Sequence, residues 1–271
     1  MGAADFLRGN NKTPESKREK YEYFDYIVLE LAREFGNKLA FKGGYMLTKL
    51  IAESARSTVD VDFSIITDEI YEEIKVRLSA ICDKFISDDI IDSYEIKQEI
   101  FPRRSGGVVM YKDGVNVMGV DVGWHDLTYG VTTYNIDGHD IQGFTVDRMI
   151  SDKITAILSR KRFRRAKDLY DIYVISSSFN VDMASVMECI RNREESSGTL
   201  TEWSNYPFTE VILKEYKKAY DSLVIESVYM DRLVEKPTFE EAYERFSTFV
   251  ECLLRDVDFV WDYSRRMMRR K

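Results

Sequence analysis

Two short stretches constrain this chain most: Phe41-Lys42-Gly43-Gly44 and, after a brief interval, Asp60-Val61-Asp62-Phe63. Glycine lacks a Cβ and tolerates positive φ, so a double glycine lets backbone approach a polyphosphate closely. Val59, Val61 and Phe63 alternate with Asp60 and Asp62. In a strand, that alternation puts both carboxylates on one face. Neighbouring carboxylates repel, and a hard divalent cation such as Mg²⁺ is the natural reason to pair them, since it also carries substrate phosphates. The combination points to metal-dependent phosphate chemistry on a nucleotide.

The rest of the chain fits a folded protein with two regions. Its 271 residues are 44% hydrophobic and 13% aromatic, enough for one large core or two modest ones. Only 4 prolines and 14 glycines favour helices. The charged N-terminus lacks the apolar segment of a secretory signal. No stretch approaches the roughly 18 consecutive apolar residues of a membrane span. A cytoplasmic protein is expected. Cys82, Cys189 and Cys252 are far apart and without C-x-x-C spacing, so they read as reduced thiols. His125 and His139 are the only histidines, which argues against a multi-histidine metal site and a Ser-His-Asp hydrolase.

A net charge of −8 speaks against non-specific coating of nucleic acid. The charge is uneven, however. Arg148, Lys153, Arg160, Lys161, Arg162, Arg164, Arg165 and Lys167 are opposed within their segment by Asp152 alone, and Arg265, Arg266, Arg269, Arg270 and Lys271 close the chain. Such patches suit phosphates, and the C-terminal one equally suits a solvated face.

Periodicity predicts helix over 17–35, strand over 39–41, helix over 45–55 and strand over 58–66. Gly43-Gly44 then sits at a helix N-terminus, where free N–H groups and the dipole favour an anion. A helix over 68–85 and strands over 94–101, 107–111, 115–123 and 140–143 follow. On the strand at 115–123, Asp121 interrupts an apolar run and is a candidate third metal carboxylate. From Val146 onward the pattern is helical: 146–159, 166–176, 182–192, 208–222 and 238–268, the last with a break. The chain is therefore read as α+β: an α/β domain over 1–145 and an all-helical domain over 146–271, with a cleft expected at the junction.

A second constellation lies in that helical half. Asp168 and Asp171, three apart, share a helix face, and Lys153 stands on the preceding helix. A lysine so placed can neutralise a triphosphate, and an aspartate can orient it or act as base on an acceptor hydroxyl.

Together these motifs resemble the AbiEii/AbiGii abortive-infection toxins of the DNA polymerase β-like nucleotidyltransferase superfamily. The resemblance rests on Phe41-Lys42-Gly43-Gly44, Leu47, Lys49, Arg56, Ser57 and Asp60-Val61-Asp62-Phe63. It continues in Asp152-Lys153, Ala156, Arg160 and Lys167-Asp168-Leu169-Tyr170-Asp171. It implies a nucleotidyltransferase-like mixed sheet with flanking helices, and a helical half that completes the NTP cleft. It also implies Asp60 and Asp62 as ligands of Mg²⁺; two ions are expected there, with Asp121, from its place on the strand at 115–123, as candidate third ligand. Lys42, Gly43, Gly44, Ser57 and Lys153 would contact the nucleotide, and Asp168 or Asp171 would be the late acidic residue. Transfer of NMP from an NTP to an acceptor, foremost a tRNA 3′ end, is expected of the toxin of a toxin–antitoxin or abortive phage infection pair, with a cognate antitoxin. Lys153→Ala is expected to weaken NTP use more than folding.

Two residues depart from the family pattern. Tyr45 follows the double glycine where a small hydroxyl residue is usual, and Lys167 replaces a frequent arginine. An antibiotic-type small-molecule nucleotidyltransferase and a degenerate nucleotide binder are the alternatives.

Overall fold

Val61, Phe63 and Ile65 are buried on one side of their strand, while Asp60 and Asp62 are half-buried on the other. That strand lies at the centre of the first of two compact units. A computed structural model describes residues 14–51, 58, 60–65, 68–97, 105–124, 127–158, 165–192, 203, 206–225 and 236–271. Arg56, Ser57, Val59, His125 and residues 160–164 of the basic run lie outside the described residues.

The first unit comprises Met1–Lys49 and Ser57–Phe144. Its elements begin with α1 (Pro14–Phe35), β1 (Leu39–Lys42), α2 (Gly43–Ile51), β2 (Asp60–Ile65) and α3 (Asp68–Ser87). Strands β3 (Ser93–Lys97), β4 (Ser105–Lys112), β5 (Val115–Trp124), β6 (Val131–Ile136) and β7 (His139–Phe144) follow. They form a seven-stranded sheet in the order β3-β4-β5-β2-β1-β7-β6. The pairs β2–β5 and β1–β7 are parallel and the others antiparallel. Apolar residues three and four apart (Phe24, Ile27, Val28 and Leu31 on α1; Ile70, Ile74, Leu78 and Ile81 on α3) are buried where these helices pack. Tyr71 of α3 lies under Gly106, where a Cβ would stand 1.9 Å from its hydroxyl, and that hydroxyl accepts the Gly107 N–H at 3.0 Å. By strand alternation, α3 therefore covers the face opposite Gly107.

The second unit comprises Leu50–Arg56 and Thr145–Lys271. It is predominantly helical: α4 (Val146–Leu158), α5 (Ala166–Ser178), α6 (Met183–Arg191), α7 (Glu210–Tyr220) with a π-helical turn at Asp221–Ile225, and α8 (Phe239–Arg255). Thr145 starts α4 by accepting the Arg148 N–H on its hydroxyl at 3.3 Å. Thr238 and Glu241 form a full capping box on α8.

This half also carries a small antiparallel sheet, β10-β9-β8, built from β8 (Val181–Asp182), β9 (Phe259–Asp262) and β10 (Met267–Arg270). The helix expected over 238–268 thus stops at Arg255, because Asp256 is extended and Asp258 accepts the Lys271 N–H at 3.1 Å. No helix among the described residues is long and apolar enough to cross a membrane.

Candidate active site

Strand register gathers the first motif. Lys42 on β1 stands opposite Asp62 on β2, and Asp62 stands beside Asp121 on β5. Asp121 in turn faces Gly107 on β4, and Gly107 faces Lys97 on β3. One row across five strands therefore reads Lys42, Asp62, Asp121, Gly107, Lys97. Paired residues share a face, and so do residues two apart on a strand. Asp60, two before Asp62, thus joins the same face and lies beside Gly119.

Glycines make the room for this crowd of charge. Gly43 has φ +70°, and a Cβ there would stand 2.4 Å from Asp62 Oδ2. A Cβ at Gly119 would stand 2.5 Å from Asp60 Oδ1. Each carboxylate therefore occupies space that any side chain at its glycine would fill. Gly43 also opens α2, so the first N–H groups of that helix, which have no intrahelical acceptor, lie beside Asp62.

Lysines flank the row at both ends. Lys42 Nζ stands 5.5 Å from the Phe144 ring centroid. Lys97 donates to Asp121 Oδ1 in an ion pair. Among the described residues no three His, Cys, Asp or Glu side chains converge closely enough to hold a metal ion. Asp121, although in register with Asp62, is directed to Lys97.

Tyr45 takes no part on this face. It is 1% exposed, its hydroxyl donates to Asp25 Oδ1 at 2.7 Å, and its ring packs edge-on to Phe24. Burial, with the Asp25 charge behind it, pushes the phenol well above its usual pKa. Lys49 donates to the same Asp25 at 2.8 Å and to Asp137 at 3.1 Å. Burial alone would lower the Lys49 pKa, but these two carboxylates outweigh it and raise it. Tyr45 and Lys49 thus tie α2 to α1.

The second constellation also comes together, within the second unit. Lys153 on α4 donates to Asp171 Oδ2 at 2.5 Å and to Asp168 Oδ1 at 3.3 Å, both on α5. All three are buried, at 8%, 2% and 5% exposure for Lys153, Asp171 and Asp168. The Lys153 ammonium thus bridges two carboxylates in a desolvated place. Asp168 Oδ2 is buried with no hydrogen-bond partner among the described residues; Arg165 Nη1 stands 4.0 Å away.

A family model matches residues 29–245, which is most of the chain and includes both constellations; its description is the nucleotidyl transferase AbiEii toxin of type IV toxin–antitoxin systems. The chain belongs to the AbiEii nucleotidyltransferase toxin family. It is accordingly a nucleotidyltransferase. No curated protein sequence matches it. Solved structures of the same fold include JHP933 from Helicobacter pylori, 13% identical with TM-score 0.55, the match covering 91% of this chain and 95% of that one. MenT4, a nucleotidyltransferase toxin from Mycobacterium tuberculosis, is 16% identical with TM-score 0.50, over 85% of this chain and 81% of its own.

Sequence reasoning missed three residues that shape the first cluster of this AbiEii chain, Lys97, Gly107 and Gly119, and also Asp25, which anchors α2 to α1. The glycines inside apolar strands were the available signal, since an interior strand glycine marks a bend or a close approach.

Proposed function

We propose that this AbiEii chain transfers NMP from an NTP to a hydroxyl acceptor, with Mg²⁺ on Asp60 and Asp62. The observation that carries this reading is the glycine-cleared pair of carboxylates beside the N-terminus of α2. The fit to Mg²⁺ rests on the donor set: two hard carboxylate oxygens on one face, each in a space that Gly43 or Gly119 keeps open. When bound, Mg²⁺ supplies Lewis acidity and charge neutralisation for an in-line displacement at phosphorus.

In the reaction the acceptor oxygen bonds to the α-phosphorus, the α–β anhydride bond breaks, pyrophosphate leaves and the hydroxyl proton is released. The N–H groups of Gly43 and Gly44 orient the phosphates, and Lys42 adds positive charge at the end of β1. Ser57 belongs to this nucleotide site in the proposal. Asp168 is the late acidic residue, with Oδ2 as its open acceptor. Lys153 and Asp171 position it, because the Lys153 ammonium is already held by two carboxylates.

The acceptor we propose is a tRNA 3′ end, supported by the basic stretch from Arg160 to Lys167. The protein then acts in the cytoplasm as a toxin, in phage defence or a related growth-arrest response, held in check by a cognate antitoxin. Tyr45 gives no support to a degenerate binder, since its side chain is engaged by Asp25 away from the carboxylate face.

The test is incubation of the protein with Mg²⁺, total tRNA and each α-³²P-labelled NTP in turn, beside Asp62→Ala. Label in RNA from one or two NTPs, absent from the variant, is expected. Label in protein or in a small molecule would keep the chemistry and overturn the tRNA acceptor. No label anywhere would overturn the transferase reading of this site.

A further inference from the structure

The row Lys42, Asp62, Asp121, Gly107, Lys97 ends in three members that the reaction above leaves unused, and Lys97 ties them together. Lys97 stands on β3, an edge strand, two strands from Asp121. It reaches that carboxylate because the intervening residue on β4 is Gly107, which offers no side chain to block the path. Gly107 sits at φ +131°, and a Cβ there would stand 1.9 Å from the Val120 carbonyl oxygen. Backbone geometry thus fixes glycine at this position, and with it the passage from Lys97 to Asp121.

Asp62 and Asp121 are register partners on adjacent strands, and such strands run only about 4.8 Å apart. Like charges directly opposite each other destabilise a sheet. Lys42 stands beside Asp62 at one end of the row and Lys97 is paired with Asp121 at the other. We infer that Lys97 is a built-in counter-cation, a positioning residue that holds Asp121 away from Asp60 and Asp62 until a divalent cation competes for it. This rests on the metal-site reading above. It adds that the third carboxylate is latched, so cation binding must break the Lys97–Asp121 pair before Asp121 can become a ligand.

The pair is partly open to solvent, with side-chain exposures of 33% and 46%. Its rupture therefore opposes metal binding by a small factor, about two- to fivefold in affinity. The same exposure means that removing the lysine leaves the fold in place.

The test uses the full chain and Mn²⁺ or Mg²⁺ alone, without nucleotide. Free Mn²⁺ is counted by electron paramagnetic resonance during titration, and melting is followed in EDTA and in saturating Mg²⁺. Lys97→Met should bind Mn²⁺ about two- to fivefold more tightly than wild type. It should melt below wild type in EDTA, where Asp121 stands unneutralised beside Asp62, and recover in Mg²⁺. Lys97→Arg should behave as wild type. Asp121→Asn should bind Mn²⁺ more weakly than wild type, because latch and third ligand go together. Asp62→Ala should lose the metal-dependent shift.

An unchanged affinity in Lys97→Met, or a melting deficit equal with and without metal, would overturn the latch and leave the metal site standing. Weaker Mn²⁺ binding in Lys97→Met would also overturn it. Absence of any metal response in wild type would instead overturn the metal-site reading itself.

Discussion

Gly43 answers two demands at once: a left-handed backbone at φ +70° and an open space against Asp62 Oδ2. Gly43→Ala should therefore cost about 1–2 kcal/mol from the backbone alone, and it must also displace the carboxylate. Misplacing a reacting group by an ångström costs about a hundredfold in rate. Single-turnover incorporation from an NTP should fall by about that factor while circular dichroism stays native; wild-type turnover in the variant would remove Gly43 from the site. Lys153 makes the opposite case. The sequence suggests a lysine used mainly for NTP, but the structure buries its ammonium between Asp168 and Asp171. Lys153→Ala removes the ammonium that both buried carboxylates share and should destabilise by about 3–5 kcal/mol in a urea melt. An unchanged midpoint would refute that role. The contrast shows what is legible at this scale. The shared face of Asp60 and Asp62 follows from alternation along one strand. Lys97 beside Asp121, and the burial of Lys153, depend on register and packing between segments that no local pattern encodes.

Among the elements, α4 begins with a carboxylate whose burial opposes its ionisation. Asp147 lies in the first turn, accepts the Asp182 N–H at 3.0 Å, and is pushed up to about 6, first by desolvation. The helix dipole and Lys271 favour its charge but do not win. Its folded pKa is raised above the unfolded value. Between about pH 4 and 6 the native state therefore binds the extra proton, and stability contributed by this group falls as pH rises through that window. Asp147→Asn keeps an acceptor for the Asp182 N–H and removes the ionisation. It should be more stable than wild type at pH 7, by on the order of 2 kcal/mol. The advantage should vanish below about pH 4. Urea melts at both pH values check it, and a pH-independent difference would count against it. Element boundaries were readable where periodicity was strong, as on α1, α3 and α5. Strand β6 escaped because Val131-Thr132-Thr133-Tyr134-Asn135-Ile136 is largely exposed at the sheet edge and lacks an apolar alternation. Strands β9 and β10 were absorbed into a helix because the apolar spacing of α8 runs on past Arg255.

At the scale of the whole molecule, the second unit is closed by residues far apart in sequence. Arg245 on α8 is buried, and its guanidinium lies 3.9 Å from the Trp261 ring centroid and 5.1 Å from that of Tyr173. It donates to Ser176 Oγ at 2.6 Å, and desolvation pushes it down to about 10. Trp261 on β9 donates its indole N–H to the Ser176 carbonyl at 2.6 Å and packs against Phe249. Three elements, α5, α8 and β9, thus meet at one indole that is 4% exposed. An all-helical reading of this half had no place for such a strand, because the pairing of β9 with Val181 and Asp182 spans some eighty residues. Trp261→Ala should cost about 3–5 kcal/mol, more than a surface strand residue, because the cavity also strips one face from the Arg245 guanidinium. Each unit is compact in itself, so the loss is predicted to be local: hydrogen exchange should accelerate in α5, α6 and α8 while amides of β2 and β5 keep their protection. Equal acceleration across β2 and β5 would mean that the stability of the carboxylate face depends on the packing around Trp261. Mn²⁺ binding by Trp261→Ala separates the two cases at the level of function, since a local loss leaves Asp60 and Asp62 able to hold the ion and a global one does not.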